Sequence, residues 1–193
     1  MEDLPLTTAL VSTGAVALAE IGDKTQLLAL LLAARFRKPG PIIAGILVAT
    51  LLNHALAAWF GAAVAQWLQP EVLRWMVAAS FLLVALWTLK PDRLDKDGTE
   101  LPGRGAFVAT AIAFFVAEIG DKTQVATVLL AAKYTPLWEV IAGTTAGMLL
   151  ANVPVVVLGS HFADRMPLRA ARRVAAVVFL GLALWVAWHG VGA

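Results

Sequence analysis

The sequence predicts an all-α integral membrane protein, with six transmembrane helices arranged as two inverted three-helix repeats. Three observations carry this expectation. Hydrophobic residues make up 60% of the 193 and the mean hydropathy is +0.80, against roughly 45–50% apolar content in soluble domains. Apolar segments of about 20 residues recur along the chain, each long enough to cross a hydrocarbon core about 30 Å thick. An acidic seven-residue motif occurs twice, once in each half.

Hydropathy and chain breakers place the spans at Leu6–Ala34, Ile42–Leu68, Val72–Leu89, Ala106–Ala132, Leu137–His161 and Ala170–His189. The first follows an acidic start, Met1-Glu2-Asp3, with no basic n-region and a run too long for a signal peptide, so it is expected to be retained. Arg35, Arg37, Lys38, Pro39 and Pro41 separate the first span from the second, and Pro70 separates the second from the third. The hydrophilic stretch Lys90–Arg104 divides the chain into a first repeat (1–89), a solvated linker (90–104) and a second repeat (105–193). Pro136 precedes span five and Pro167 precedes span six; only Pro154 falls inside a span, where it would free backbone carbonyls and kink the helix.

Basic residues set the expected orientation. Outside the motifs, eleven lie in the loops after spans one, three and five (Arg35 and Arg173 are the first and last), whereas the opposite side holds only Arg74 and Lys133. By the positive-inside rule those three loops are cytoplasmic and both termini lie outside. Trp67, Trp75, Trp138, Trp185 and Trp188 then gather near the outer ends as an interfacial belt. The net charge of +2 reflects these loops and does not indicate a nucleic-acid partner; the expected partners are lipid and an ion. With no cysteine, thiolate ligands, disulfides and cysteine nucleophiles are excluded.

Glu20-Ile21-Gly22-Asp23-Lys24-Thr25-Gln26 recurs unchanged as Glu118-Ile119-Gly120-Asp121-Lys122-Thr123-Gln124. Chance would produce this with a probability on the order of 10^-5, so the chain is read as an internal repeat. At the same offset Gly45 matches Gly143 and Gly61 matches Gly159, while Asn53 matches Asn152 one residue out of step. Three spans per half is an odd number, so the second half enters the membrane from the opposite side. Secondary transporters built this way place the substrate between the repeats near the midplane.

Both motifs lie deep within spans, where six ionised groups together cost roughly 15–20 kcal/mol unless they face one another, water or an ion. On a continuous helix, Glu20, Asp23 and Lys24 share a face, as do Glu118, Asp121 and Lys122. Gly22 and Gly120 either admit a second backbone or let the helix unwind toward an ion. Thr25, Gln26, Thr123 and Gln124 add neutral oxygens, and Asn53 and Asn152 are further supporting candidates. The expected ligands are Glu20, Asp23, Glu118 and Asp121, an oxygen set suited to Ca2+, Mg2+ or Mn2+.

Four carboxylates against Lys24 and Lys122 leave a charge of −2, which one divalent cation or two protons neutralise. A site neutral under either load and costly when empty favours exchange over leak, with protons competing for the carboxylates. Ion pairs that merely join spans one and four are the bland alternative, but they leave the surplus acid unexplained. An exporter of small organic cations or amino acids would call for more aromatic lining than Phe114 and Phe115. An intramembrane enzyme lacks any metalloprotease, Ser/His or nucleotide motif, and a non-transport scaffold needs no acid surplus. His54 is either a proton relay or a helix–helix hydrogen-bonding group; His161 and His189 sit at span ends.

At these residues the sequence resembles the GDT-one family, Golgi-type Ca2+/Mn2+–proton exchangers and bacterial manganese exporters. The family hallmark, Glu-x-Gly-Asp-(Lys/Arg)-(Thr/Ser) in each half of a six-span core, is met by both copies. The resemblance spans essentially the whole chain. It implies a secondary transporter that moves a divalent cation out of the cytosol in exchange for protons, without a resident cofactor, with Glu20, Asp23, Glu118 and Asp121 as binding residues. Without the long N-terminal extension of eukaryotic members, a prokaryotic plasma membrane is the expected location.

Overall fold

The computed structural model describes residues 5–90, 105–159 and 168–191, and every regular element among them is an α-helix. In chain order these are α1 (Pro5–Glu20), α2 (Lys24–Phe36), α3 (Pro39–Trp67), α4 (Pro70–Thr88), α5 (Ala106–Glu118), α6 (Lys122–Lys133), α7 (Leu137–Leu158) and α8 (Leu168–His189). Most of the Lys90–Arg104 linker, with Arg93, Lys96 and Arg104, lies outside the described residues, as do His161, Arg165 and Pro167. Helices α3, α4 and α7 are long and apolar enough to cross a bilayer; α5 and the Arg173–His189 part of α8 are shorter apolar helices.

Helix starts follow the prolines. Pro39 and Pro70 occupy the first turns of α3 and α4, where a missing N–H costs nothing, and Pro136 caps α7. The repeat is visible in the same places: α2, α3 and α4 begin at Lys24, Pro39 and Pro70, and α6, α7 and α8 at Lys122, Leu137 and Leu168, ninety-eight positions on in each case. The first helices of the halves, α1 and α5, match at their ends, Glu20 and Glu118, at the same offset.

Of the two readings open for Gly22 and Gly120 in the segments Leu6–Ala34 and Ala106–Ala132, the backbone takes the unwound one. Each segment is two shorter helices, parted at 21–23 and 119–121. The cause is local: Gly22 and Gly120 have φ of 79° and 74°, which the right-handed helix does not admit. Glu20, Asp23 and Lys24 consequently do not share one continuous helical face, nor do Glu118, Asp121 and Lys122.

Packing between the halves is reciprocal. Helix α7 packs along α1, and α3 along α5; α4 packs against α8, where Phe81 and Phe179 stack with centroids 6.2 Å apart. The matched glycines explain the first two contacts. A Cβ on Gly45 would sit 2.8 Å from the Phe107 carbonyl oxygen and from Thr110 Cβ on α5; one on Gly143 would sit 2.5 Å from the Ala9 carbonyl oxygen and 2.8 Å from Ser12 Cβ on α1. Both distances are inside van der Waals contact, so only glycine lets the backbones meet. Gly143→Ala is expected to destabilise by about 1–3 kcal/mol through overpacking, seen as a lower unfolding temperature in detergent and matched by Gly45→Ala. Gly61 and Gly159 are not equivalent: Gly61 lies against the Val128 backbone, whereas Gly159 terminates α7 with φ of 63°. The five belt tryptophans are all at least half exposed, as side chains on an outer surface should be.

Candidate cation site

Each motif straddles a helix break. Glu20 and Glu118 are the last residues of α1 and α5, while Lys24 and Lys122 are the first of α2 and α6. Between them runs a tight turn closed by Asp23 N–H to the Glu20 carbonyl at 3.0 Å and Asp121 N–H to the Glu118 carbonyl at 3.1 Å. In the second copy Ile119 has φ −62° and ψ 121° and Gly120 has φ 74°, the dihedrals of a type II turn, whose third position calls for glycine. Gln26 Oε1 accepts the Gly22 N–H at 2.8 Å, and Gln124 Oε1 accepts the Gly120 N–H at 2.8 Å. The glutamine oxygens expected to face an ion are thus engaged in holding the turns.

The breaks put the two kinds of acid in opposite fields. Asp23 and Asp121 are the N-cap residues of α2 and α6, at the positive poles of those helices, where a carboxylate is stabilised. Glu20 and Glu118 sit at the negative poles of α1 and α5, where a carboxylate is disfavoured unless a cation or proton joins it. All four are buried.

Lysines pair across the repeats. Lys122 Nζ donates to Asp23 Oδ1, with both side chains buried, and Lys24 Nζ lies 3.4 Å from Asp121 Oδ1. Asp23 also accepts from the Thr25 N–H at 3.4 Å, with the Thr25 hydroxyl oxygen 3.3 Å from its Oδ2. Glu20 accepts hydroxyl bonds from both Thr25 and Thr123, one from each copy. Among the described residues, by contrast, both oxygens of Glu118 and Oδ2 of Asp121 are buried with no hydrogen-bond partner. Buried carboxylate oxygens are rarely left so.

Glu20, Glu118 and Asp121 each offer an oxygen within 4.8 Å of the others. Two oxygens bound to one ion at about 2.3–2.6 Å can lie at most about 5 Å apart, so the three suit a single hard cation. With the aspartates matched to lysines, the surplus of two negative charges resides on Glu20 and Glu118, the pair at the negative helix poles. That assignment was not legible in the sequence, where the four acids look alike.

The supporting residues divide unequally. Asn53 on α3 donates to the Phe115 carbonyl at 3.0 Å and its Oδ1 lies 3.5 Å from Gln124 Nε2, joining the second turn to α3. In the other half Gln26 Nε2 donates to the Ala151 carbonyl at 2.9 Å. Asn152, one step further on, bonds back to Met148 at 3.1 Å and does not take the place of Asn53. His54 is buried, and neither ring nitrogen is hydrogen-bonded among the described residues. The threonine bridges to Glu20 and the crossing of the ion pairs escape sequence reasoning; the Thr that follows Lys in both motif copies is a signal that could have pointed to the bridges.

A family model described as "Divalent cation/proton antiporter GDT1" matches residues 8–96 and 106–193. A protein of Vibrio cholerae named "Putative manganese exporter" is 59% identical over 92% of this chain and 89% of its own length. A GDT1-like protein of Synechocystis is 25% identical, over 90% of this chain and 92% of its own. A GDT1-like protein of Arabidopsis thaliana is 32% identical over 39% of this chain and 33% of its own. No solved structure matches.

Proposed function

The chain belongs to the GDT1 family of divalent cation/proton antiporters and is a membrane transporter, not an enzyme; on that premise we propose that it exports Mn2+ from the cytoplasm in exchange for protons, with Ca2+ the competing cargo. Glu20, Glu118 and Asp121 bind the ion, and Asp23 completes the acidic shell while paired to Lys122. The observation that carries this reading is the buried carboxylate trio within 4.8 Å, formed by both motif copies.

The architecture of the proposal is six spans in two inverted repeats, over 1–89 and 105–193. Helices α1 and α2, of 16 and 13 residues, measure about 24 and 20 Å, each too short for the hydrocarbon core alone. In series they make one broken span, and α5 with α6 makes the other. Half-helices that break at the midplane and point their ends at cargo are a recurring device of secondary transporters. The helix starts at a constant offset and the reciprocal packing of α1 on α7 and α5 on α3 support the repeat. The excess of arginine and lysine after spans one, three and five supports termini outside a prokaryotic inner membrane.

Neutrality supplies the coupling. Glu20 and Glu118 carry two uncompensated charges, so the loads that satisfy them are one divalent cation or two protons. An empty site would drag bare charge through a low-dielectric interior, and leak is opposed by that cost. In proteoliposomes, an imposed pH gradient is expected to drive Mn2+ accumulation against its own gradient, and excess Ca2+ to compete. Mn2+ flux indifferent to the pH gradient would remove the proton half of the reading.

A further inference from the structure

We propose that protons travel along the seam between α1 and α7, with Glu139 as its terminal carboxylate and Ser12 as its relay hydroxyl, apart from the path of the cation. The proposal rests on the antiporter reading above. Glu139 is 1% exposed and Ser12 is fully buried, and neither Glu139 oxygen nor Ser12 Oγ has a hydrogen-bond partner among the described residues. Both fall outside the duplicated motifs.

Their placement links them. Glu139, Gly143, Gly147 and Ala151 recur every fourth residue on α7, as do Thr8, Ser12, Val16 and Glu20 on α1, so each set forms one stripe. The stripes face each other: a Cβ on Gly143 would lie 2.8 Å from Ser12 Cβ, and one on Gly147 would lie 3.0 Å from Val16 Cβ. At its far end the α7 stripe reaches the motif turn, where Gln26 donates to the Ala151 carbonyl. Glu139 therefore stands about 18 Å along α7 from the level of the acid site.

The seam discriminates by size. No methyl group fits between Gly143 and Ala9, or between Gly147 and the Thr13 carbonyl 2.6 Å from its would-be Cβ, so a divalent ion with its coordination shell does not pass. A proton needs only donors and acceptors in sequence. Protonated Glu139 gives its proton to Ser12 Oγ through water as the serine hydroxyl releases its own toward Glu20, so each step conserves charge. Val16, fully buried, occupies the turn between Ser12 and Glu20. A shift of α1 against α7 would complete the route, which opposes uncoupled leak.

Symmetric packing does not account for Glu139. Its counterpart in the other half is Pro41, and the counterpart of Ser12 is Thr110, whose hydroxyl is satisfied by the Ala106 carbonyl at 2.7 Å. Nor is Glu139 a capping residue. It lies in the first turn of α7, but its oxygens accept no backbone N–H. The titratable groups on helices packed against α7 are Glu20 on α1, Lys24 and Arg35 on α2, His54 on α3, and Lys122 and Lys133 on α6. Of these only Lys133 shares the Glu139 end, beside Tyr134, whose ring centroid lies 4.8 Å from its Nζ.

The test separates two modes of flux in proteoliposomes. Mn2+/Mn2+ exchange across equal pH needs the cation site but no net proton movement; pH-driven Mn2+ uptake needs both. Positioned proton-transfer groups contribute on the order of 10^2-fold or more, so Glu139→Gln is expected to slow pH-driven uptake at least about tenfold while Mn2+/Mn2+ exchange stays within about twofold. Ser12→Ala should show the same split more weakly, and Glu139→Asp should restore pH-driven uptake in part. Wild-type pH-driven uptake in both Glu139→Gln and Ser12→Ala overturns the proposal, as does an equal loss of both flux modes in both variants. Absence of pH-driven uptake in the wild-type protein is the separate result that overturns the antiporter reading itself.

Discussion

Glu118→Gln is expected to abolish pH-driven Mn2+ exchange while leaving the protein as stable as the wild type or more so. The two effects have opposite signs because, in the proposed reading, the group serves the cargo and not the fold. Both Glu118 oxygens are buried and bonded to nothing among the described residues, so the neutral amide relieves the cost of an uncompensated buried charge. The site, meanwhile, loses a ligand and one of the two charges that require a divalent load. Even outer-shell partners of a bound metal cost about 10–100-fold in affinity, so loss of a direct ligand should reduce flux by at least about 10^2-fold. Thermal unfolding in detergent supplies the second readout. Mn2+ should raise the wild-type unfolding temperature by mass action and leave that of Glu118→Gln unmoved. A variant that transports normally, or one that unfolds early and so loses transport indirectly, would contradict the assignment of Glu118 to the ion.

Lys122→Met should do the reverse and act first on stability. Lys122 and Asp23 are both buried, 2% and 0% exposed, and their bond joins α6 to the turn between α1 and α2. Removing the ammonium strands the Asp23 charge, a change that costs about 3–5 kcal/mol in buried pairs. Its symmetric partner is a built-in control. Lys24 is 26% exposed and lies 3.4 Å from Asp121, so solvent screening should make Lys24→Met much milder. Combining Lys122→Met with Asp23→Asn should recover most of the lost stability, because both charges are then gone, and the cycle of single and double variants measures the coupling. Equal, small losses for the two lysines would mean that the crossed pairs are both surface-like in energy.

The helical class was legible in the residues, as were the duplicated motif and the oxygen ligands it offers. Apolar runs can satisfy their backbones in lipid only as helices, so length and hydropathy led directly to an all-α chain, and prolines marked where α3 and α4 begin. The identical heptapeptides named the four acids before any geometry was known. Helix continuity was not legible. Gly22 and Gly120 are compatible with a tight crossing as well as with a turn, and only the backbone dihedrals distinguish the two. Partner choice was equally hidden, since i, i+3 and i+4 spacing suggests pairing within a motif, whereas the lysines reach across to the other copy. Glu139 and Ser12 carry no motif and stand out only through burial without a partner.

By itself, then, the order of residues determined which groups could bind a hard cation, because ligand type and net charge are properties of composition at a motif. Tertiary structure decided how those groups are placed and paired. Electrostatic roles depend on where a carboxylate sits in the field of a helix and on which ammonium can reach it. Breaking the spans at Gly22 and Gly120 placed the aspartates at positive helix poles with lysine partners and left Glu20 and Glu118 at negative poles, and that division of four chemically similar acids exists only in three dimensions.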